Sequence, residues 1–281
     1  MSNFKTATLT MLAMIAFAGN SLLCRLALKQ TAIDAVSFTT VRMFSAALVL
    51  GLLIGFKPGV YRSSGNWPSA LALFAYAAGF SFAYIHLSAG TGALLLFGAV
   101  QATMIGVGVY RGERLAGWRL IGFLLAIGGL VLLMLPGLSA PPLVSAISMV
   151  GAGIAWGIYS LRGKAVGNPI AATAGNFLRT LPLTLCLSLL MVQQMSWDAA
   201  GLAFAVLSGA LTSGLGYAIW YQVLPSLRST TAATVQLSVP VLAALAGILL
   251  LGEPLGWRLL TASVAILLGI ALVIHQKRTV T

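Results

Sequence analysis

The sequence predicts an all-α polytopic membrane protein, with ten transmembrane helices arranged as two inverted five-helix repeats. Three observations carry that expectation. Charged residues are 7% of the 281, against 59% hydrophobic, and mean hydropathy is +1.01. The apolar residues fall in ten runs, each close to the roughly 20 residues a helix needs to cross a bilayer. The second half of the chain also repeats the pattern of the first. A soluble domain of 29.1 kDa has too little interior for this much apolar surface. The runs are continuous rather than alternating, which excludes a β-barrel, and backbone in lipid must satisfy its own hydrogen bonds, which selects helices.

The expected spans are 6–28, 35–56, 67–88, 91–110, 117–135, 143–161, 170–191, 199–223, 230–250 and 257–275. The first has a weak basic flank in Lys5 and runs on through Ala27 with Arg25 near its end, so it reads as a signal-anchor-like helix. The second carries Arg42. The third repeats Tyr76, Phe80 and Tyr84 at four-residue spacing, with His86 at its outer boundary. The fourth holds Gln101, and the fifth follows Gly112-Glu113-Arg114-Leu115. The sixth carries Trp156 and Tyr159; the seventh carries Asn176, Arg179 and Pro182. The eighth carries Tyr217, Trp220 and Tyr221 and closes at Pro225. In the ninth, Gln236, Ser238 and Pro240 mark a local break facing a cavity, since proline removes a backbone bond. The loops are short, and none is large enough for a soluble domain.

A formal charge of +12 would suggest nucleic acid for a soluble protein. Here the basic residues cluster at span ends, where they need only hold loops in the cytoplasm, and no nucleic-acid partner is expected. With the N-terminus inside, the cytoplasmic side takes Lys5, Lys57, Arg62, Arg111, Arg114, Arg119, Arg162, Lys164, Arg228, Lys277 and Arg278. The other side takes Arg25, Lys29 and Arg258. This bias places both termini in the cytoplasm. Cys24 and Cys186 have neither metal nor disulfide spacing.

The repeat is legible in short segments. Gly112 through Leu120 answers Gly252 through Leu259 with one residue of slip. Ala16-Phe17 answers Ala155-Trp156, Arg25 answers Lys164, Val41-Arg42 answers Leu178-Arg179, and Thr91-Gly92-Ala93 answers Thr231-Ala232-Ala233. The halves are 1–138 and 139–281. Five spans per half is odd, so the second copy is inserted upside down. Two inverted copies can exchange conformations, which is the usual physical basis of alternating access.

On the Gly-Glu-x-Leu segments at 112–115 and 252–255, and Ser238-Val239-Pro240-Val241, the chain resembles the drug/metabolite transporter superfamily in its ten-span class with paired EamA-type domains. The first repeat departs from that pattern, with Gly98-Ala99-Val100-Gln101 and no proline. The short loops and aromatic-rich helices are most similar to the aromatic amino acid exporter branch. The resemblance implies a bacterial inner-membrane carrier that exports aromatic and other neutral amino acids and related small metabolites, with some tolerance for organic cations.

Candidate substrate-binding residues are those out of place against lipid. Phe17 with Asn20, and Trp156 with Tyr159, share helix faces and pair a ring with a polar group. Tyr76, Phe80 and Tyr84 form one aromatic stripe, and Tyr217 with Trp220 a second. Interfacial placement and helix packing are the alternative explanations for these rings. Gln101 and Gln236 either contact substrate or bridge helices. Arg42 and Arg179 are charges within spans, each costing roughly 3 kcal/mol on insertion scales. Either they meet a substrate carboxylate, with Asn176 beside Arg179, or they pair with helix-end carbonyls. Asp34, Glu113, Asp198 and Glu253 sit at span ends, where helix N-termini account for them. With no acid at midspan and no phosphate-binding loop, the expected mode is facilitated transport without cofactor, metal or ATP. The alternative is a proton-coupled exporter of cationic drugs or other small metabolites. A membrane enzyme would need a clustered set of catalytic groups, which two histidines and four acids do not offer. The expected partners are a small-molecule substrate and membrane lipid, for a monomer. Single cysteines at Arg119 and Arg258 should react with an impermeant maleimide from opposite faces; labelling from one face would remove the inversion.

Overall fold

The computed structural model describes residues 3–55, 64–112, 117–135, 140–163, 168–227 and 235–275. Glu113 through Ala116, Lys57, Arg62, Lys164, Arg228, Thr231 through Ala233, Lys277 and Arg278 lie outside the described residues. The chain is all-α there. The helices are α1 (Asn3–Gln30), α2 (Ala35–Leu53), α3 (Trp67–Tyr84), α4 (Ala89–Tyr110), α5 (Trp118–Met134), α6 (Leu143–Gly163), α7 (Pro169–Leu190), α8 (Ala199–Ser226), α9 (Ser238–Leu251) and α10 (Trp257–His275). Six of the described helices, α1, α2, α4, α6, α7 and α8, are long and apolar enough to cross a membrane, and α5, α9 and most of α10 are shorter apolar helices. Leu190, Val144, Leu249 and Leu189 are among many large apolar side chains exposed on the perimeter. Water would not tolerate such a surface, and lipid does. The protein is a multi-pass membrane protein.

Exposed aromatics mark helix ends as well. Trp67, Tyr110 and Trp118 stand at the ends of α3, α4 and α5, and Trp197 and Trp257 at the starts of α8 and α10. That is the placement of interfacial rings, half apolar and half wet.

Local chemistry sets the boundaries. Asp34 caps α2 by accepting from Val36 N at 2.7 Å and Ser37 N at 3.0 Å, and Asp198 caps α8 through Gly201 N. The expected 67–88 span ends instead at Tyr84, because Ser88 caps the next helix through Thr91 N. α4 therefore starts at Ala89, two residues early. The break expected around Gln236, Ser238 and Pro240 falls at Leu237, and Pro240 is the third residue of α9, where an N–H has no intrahelical partner to lose. Pro182 does lie inside α7. The eighth helix contains a π-helical stretch, Ser208–Leu215, between α-helical Ala199–Leu207 and Gly216–Val223.

α3 and α4 both pack on α6, while α8 and α9 both pack on α1; α2 meets α7 and the π stretch, α3 meets α7, α4 meets α9, and α5 meets α10. Small and hydroxylated residues make these contacts, as expected where dispersion and hydrogen bonds replace a hydrophobic drive. Thr39 Oγ1 donates to Ser81 Oγ at 2.8 Å between α2 and α3; Thr40 and Ser188 hydroxyls meet at 2.8 Å between α2 and α7. The α5–α10 pair is antiparallel, since Gly122 meets Gly269 and Leu272, Gly129 meets Ile266, and Leu135 O accepts from Arg258 Nη1. A Cβ on Gly122 would come within 2.5 Å of Gly269 O. Gly122→Val should therefore destabilise the bundle by about 1–3 kcal/mol, the usual cost of overpacking, read as a lower unfolding midpoint in detergent; an unchanged midpoint would reject this contact as an anchor.

Candidate functional site

Aromatic side chains from both halves converge at the centre. Phe17 of α1 meets Tyr217, Trp220 and Trp156 edge-on at centroid separations of 5.8, 5.9 and 6.5 Å. Trp156 of α6 lies 4.8 Å from Tyr76, 4.9 Å from Tyr217 and 5.4 Å from Tyr159. The four-residue spacing of Tyr76, Phe80 and Tyr84 stacks them along one face of α3, at 5.4 and 4.7 Å. Between these rings lies a void of about 20 Å³ lined by Phe17, Asn20, Ser21, Tyr76, Phe80, Leu96, Phe97, Trp156 and Tyr217. It has room for about one water molecule. The chamber is closed in this conformation, and its rings must part to admit an organic solute.

Arg42 sits behind Tyr76 and Phe80 and is 0% exposed. Its guanidinium carbon is 4.9 Å from the Phe80 centroid and 5.3 Å from that of Tyr76. Nη2 donates to Tyr76 OH at 3.1 Å and Nε to Ser213 Oγ at 3.3 Å, while Nη1 has no hydrogen-bond partner among the described residues. Both contacts are to neutral oxygens. Tyr76 OH also accepts from Asn20 Nδ2 at 3.1 Å. Asn20 Oδ1 in turn accepts from Ser208 Oγ at 2.7 Å and Thr212 Oγ1 at 3.2 Å. The π stretch brings these hydroxyls to α1 and α2. There α8 comes so close to α2 that a Cβ on Gly209 would fall 2.2 Å from Arg42 O. A π stretch inside a helix is frequent at functional sites.

Towards one end of the bundle the chamber gives way to a larger polar cavity of about 400 Å³. Ser64, Asn66 and Ser69 at the start of α3, Tyr159 and Arg162 at the end of α6, Asn168, Thr173 and Asn176 of α7 and Tyr221 of α8 line it. Tyr159 divides this vestibule from the chamber through its contact with Trp156, and Asn176 Nδ2 donates to its hydroxyl at 3.5 Å. Arg162 is oriented by Ser69 Oγ and Asn66 Oδ1, each at 3.1 Å. Among the described residues, no Asp or Glu lines the chamber or the vestibule.

The expected residues divide by position. Phe17, Asn20, Tyr76, Phe80, Trp156 and Tyr217 line the chamber, with Trp220 behind Phe17 and Arg42 behind the α3 rings. Tyr159 and Asn176 line the vestibule. Tyr84, Gln101, Arg179 and Gln236 line neither. Tyr84 packs on Gly92 and donates to Ala89 O; Gln101 is buried in α4; Gln236 is half-buried just before α9. Arg179 Nη1 donates to Ser64 O at 2.8 Å and Gly175 O at 2.9 Å, pinning the segment before α3 to α7. The two arginines matched in the sequence thus occupy unlike environments. Sequence reasoning missed Ser208, Thr212, Ser213, Leu96 and Phe97. The first three were signalled by Ser208-Gly209 and Thr212-Ser213-Gly214, polar small residues in an otherwise apolar span.

Among the described residues no group of three or more His, Cys, Asp or Glu side chains could hold a metal ion. A polytopic bundle whose ring-lined centre lies under a one-sided vestibule has the build of a membrane carrier. A model of the EamA-like transporter family matches residues 143–275, which is α6 through α10. The chain is 59% identical, over 99% of its length and 97% of the relative's, to a Pseudomonas aeruginosa protein called Uncharacterized protein PA1977. It is 27% identical to an Archaeoglobus fulgidus protein called an uncharacterized transporter, over 84% of each chain. One crystal structure superposes with a TM-score of 0.65 over 97% of this chain and 98% of its own, at 18% identity, a likeness of fold alone. The chain belongs to the EamA-like transporter family; it is a membrane transporter and not an enzyme.

Tyr76→Phe removes the acceptor shared by Arg42 Nη2 and Asn20 Nδ2. Each buried donor left unpaired costs about 1–3 kcal/mol. A clear fall in the unfolding midpoint in detergent is expected; an unchanged midpoint would show the shared hydroxyl to be dispensable.

Proposed function

We propose that the protein is a secondary carrier of the bacterial inner membrane that exports aromatic and other neutral amino acids, and related small metabolites, by alternating access. The observation that carries this reading is Arg42: a fully buried guanidinium beside a ring-lined chamber, with one nitrogen unpaired and no carboxylate on its other contacts. A buried charge without a counter-charge is costly, and a substrate carboxylate offsets that cost when it arrives. Parted rings then enclose the apolar side chain, while Asn20 and the hydroxyls of α8 supply polar contacts for the rest of a zwitterion. The cationic-drug reading finds no acidic side chain at either cavity among the described residues and would place a permanent cation beside Arg42.

In this reading the chain is a monomer of ten spans in two inverted repeats, 1–138 and 139–281, with both termini cytoplasmic. The helix neighbours support the repeat, since the most extensively packed pairs map onto one another when each helix is exchanged for its counterpart five along: α3–α6 with α8–α1, α4–α6 with α9–α1, and α3–α7 with α8–α2. α1 runs from the vestibule end towards Arg25 at the other, so a cytoplasmic N-terminus makes this an inward-facing form in which the chamber itself is closed. Asp34 and Asp198 serve as helix caps, so neither stands in the pathway as a proton relay.

The test is counterflow of labelled phenylalanine, tryptophan and neutral aliphatic amino acids into liposomes holding purified protein. Flux independent of an imposed pH gradient is expected. R42Q should weaken amino acid binding at least about tenfold, the equivalent of 1.4 kcal/mol, and W156A and Y159A should weaken it by a smaller factor. Folded R42Q with unchanged affinity, or wild-type protein that carries a quaternary ammonium ion in preference, would overturn the amino acid reading. Accumulation that follows the pH gradient would overturn facilitated transport.

A further inference from the structure

At the end of the bundle opposite the vestibule, Arg25 of α1 and Glu253, in the turn between α9 and α10, form an ion pair at 3.1 Å, their side chains only 12% and 6% exposed. Glu253 was expected to be a charge explained by a helix N-terminus. It does accept from Ala89 N, at the start of α4, at 2.8 Å through Oε2, but its other oxygen holds Arg25. Arg25 Nη1 also donates to Tyr84 O and Ile85 O, both at 2.9 Å, where α3 ends. Two side chains thus tie α1, α3 and α4 of the first half to the α9–α10 turn of the second. Gly252, at φ 63°, makes the left-handed turn that aims Glu253 back into the bundle.

The surfaces around the pair are smooth. A Cβ on Gly90 would lie 2.8 Å from Ala244 Cβ, and one on Gly247 would lie 3.1 Å from Ala89 Cβ. α4 and α9 meet there through the small residues Ala89, Gly90, Ala244 and Gly247, which let the two helices approach closely. The ion pair suits such a surface. Desolvation offsets most of its Coulomb energy while it is buried, and water repays both charges when the end opens. Such a pair adds little net stability, yet it favours one geometry of closure over others.

We propose that the Arg25–Glu253 pair is the latch that keeps this end of the pathway shut, and that it breaks and re-forms once in each transport cycle. The proposal depends on the protein being a carrier and not on which solute it carries.

The experiment uses full-length protein with Cys24 and Cys186 replaced by alanine, and reads the same end in two ways. In the first, S21C reports from the chamber wall to an impermeant maleimide added on the latch face. E253Q should speed that labelling by about tenfold, the response to a bias of 1.4 kcal/mol, while labelling from the vestibule face confirms an intact fold. An unchanged rate in folded E253Q would overturn the latch. In the second, G90C/A244C joins α4 to α9, with Cβ positions that need to separate by about 1 Å to reach disulfide spacing. Oxidation should stop phenylalanine transport and reduction restore it; continued turnover of the oxidised protein would overturn the need for this end to open. Reduced protein that never moves phenylalanine would refute the amino acid reading alone, because the maleimide rates need no substrate and still decide the latch.

Discussion

A positive charge kept away from water organises the middle of this protein. Arg42 is fully buried among helices, and around it the chain provides a tyrosine hydroxyl, a serine hydroxyl and two aromatic faces. Each of those groups must itself be held. Tyr76 is shared with Asn20, and Asn20 is held by Ser208 and Thr212. In an α-helix, residues five apart diverge by about 140°. The π stretch from Ser208 to Leu215 reduces that divergence, so Ser208 serves Asn20 while Ser213 serves Arg42. Four helices are thereby committed to one polar network inside an apolar bundle. Its one unpaired member among the described residues is Nη1 of Arg42.

The two ends of the bundle differ in kind. One is held by charges and backbone groups from several helix ends, meeting over small side chains. The other carries a polar cavity of about 400 Å³ separated from the chamber by aromatic rings. A carrier must never be open at both ends, and this arrangement is closed at one end and only thinly closed at the other. The closed chamber, with space for about one water, means that solute entry requires ring movement. Trp156 and Tyr159 are placed for it, since Trp156 contacts the chamber rings and Tyr159 faces the vestibule.

Much of this was readable from the sequence because the bilayer imposes length and polarity rules on each segment separately. Nine of the ten expected spans coincide with helices to within a few residues, and in the ninth, described from Val235 onward, the helix is interrupted at Leu237. The rings at positions 17, 76, 80, 156 and 217 could be picked out because they recur at helical spacing beside polar residues. Arg42 stood out because an apolar span has no reason to carry a charge. The arginine matched to it, Arg179, was not separable by the same logic: its partner Ser64 O belongs to a distant loop. Glu253 could be read only as a helix-end acid, because its ion pair spans 228 residues of sequence.

The sequence by itself determined that the chain is a multi-pass helical membrane protein, with aromatic and polar residues placed inside its helices. Hydrophobic run length and period are local properties, so a linear reading suffices for them. Only the tertiary structure decided which of two arginines lies behind the central rings, that α8 carries a π-helical stretch beside it, and that Arg25 pairs with Glu253 at one end of the bundle. Those outcomes depend on distances between helices far apart in the chain, and in lipid such distances are set by packing and hydrogen-bond satisfaction across helix faces rather than by any one segment's composition.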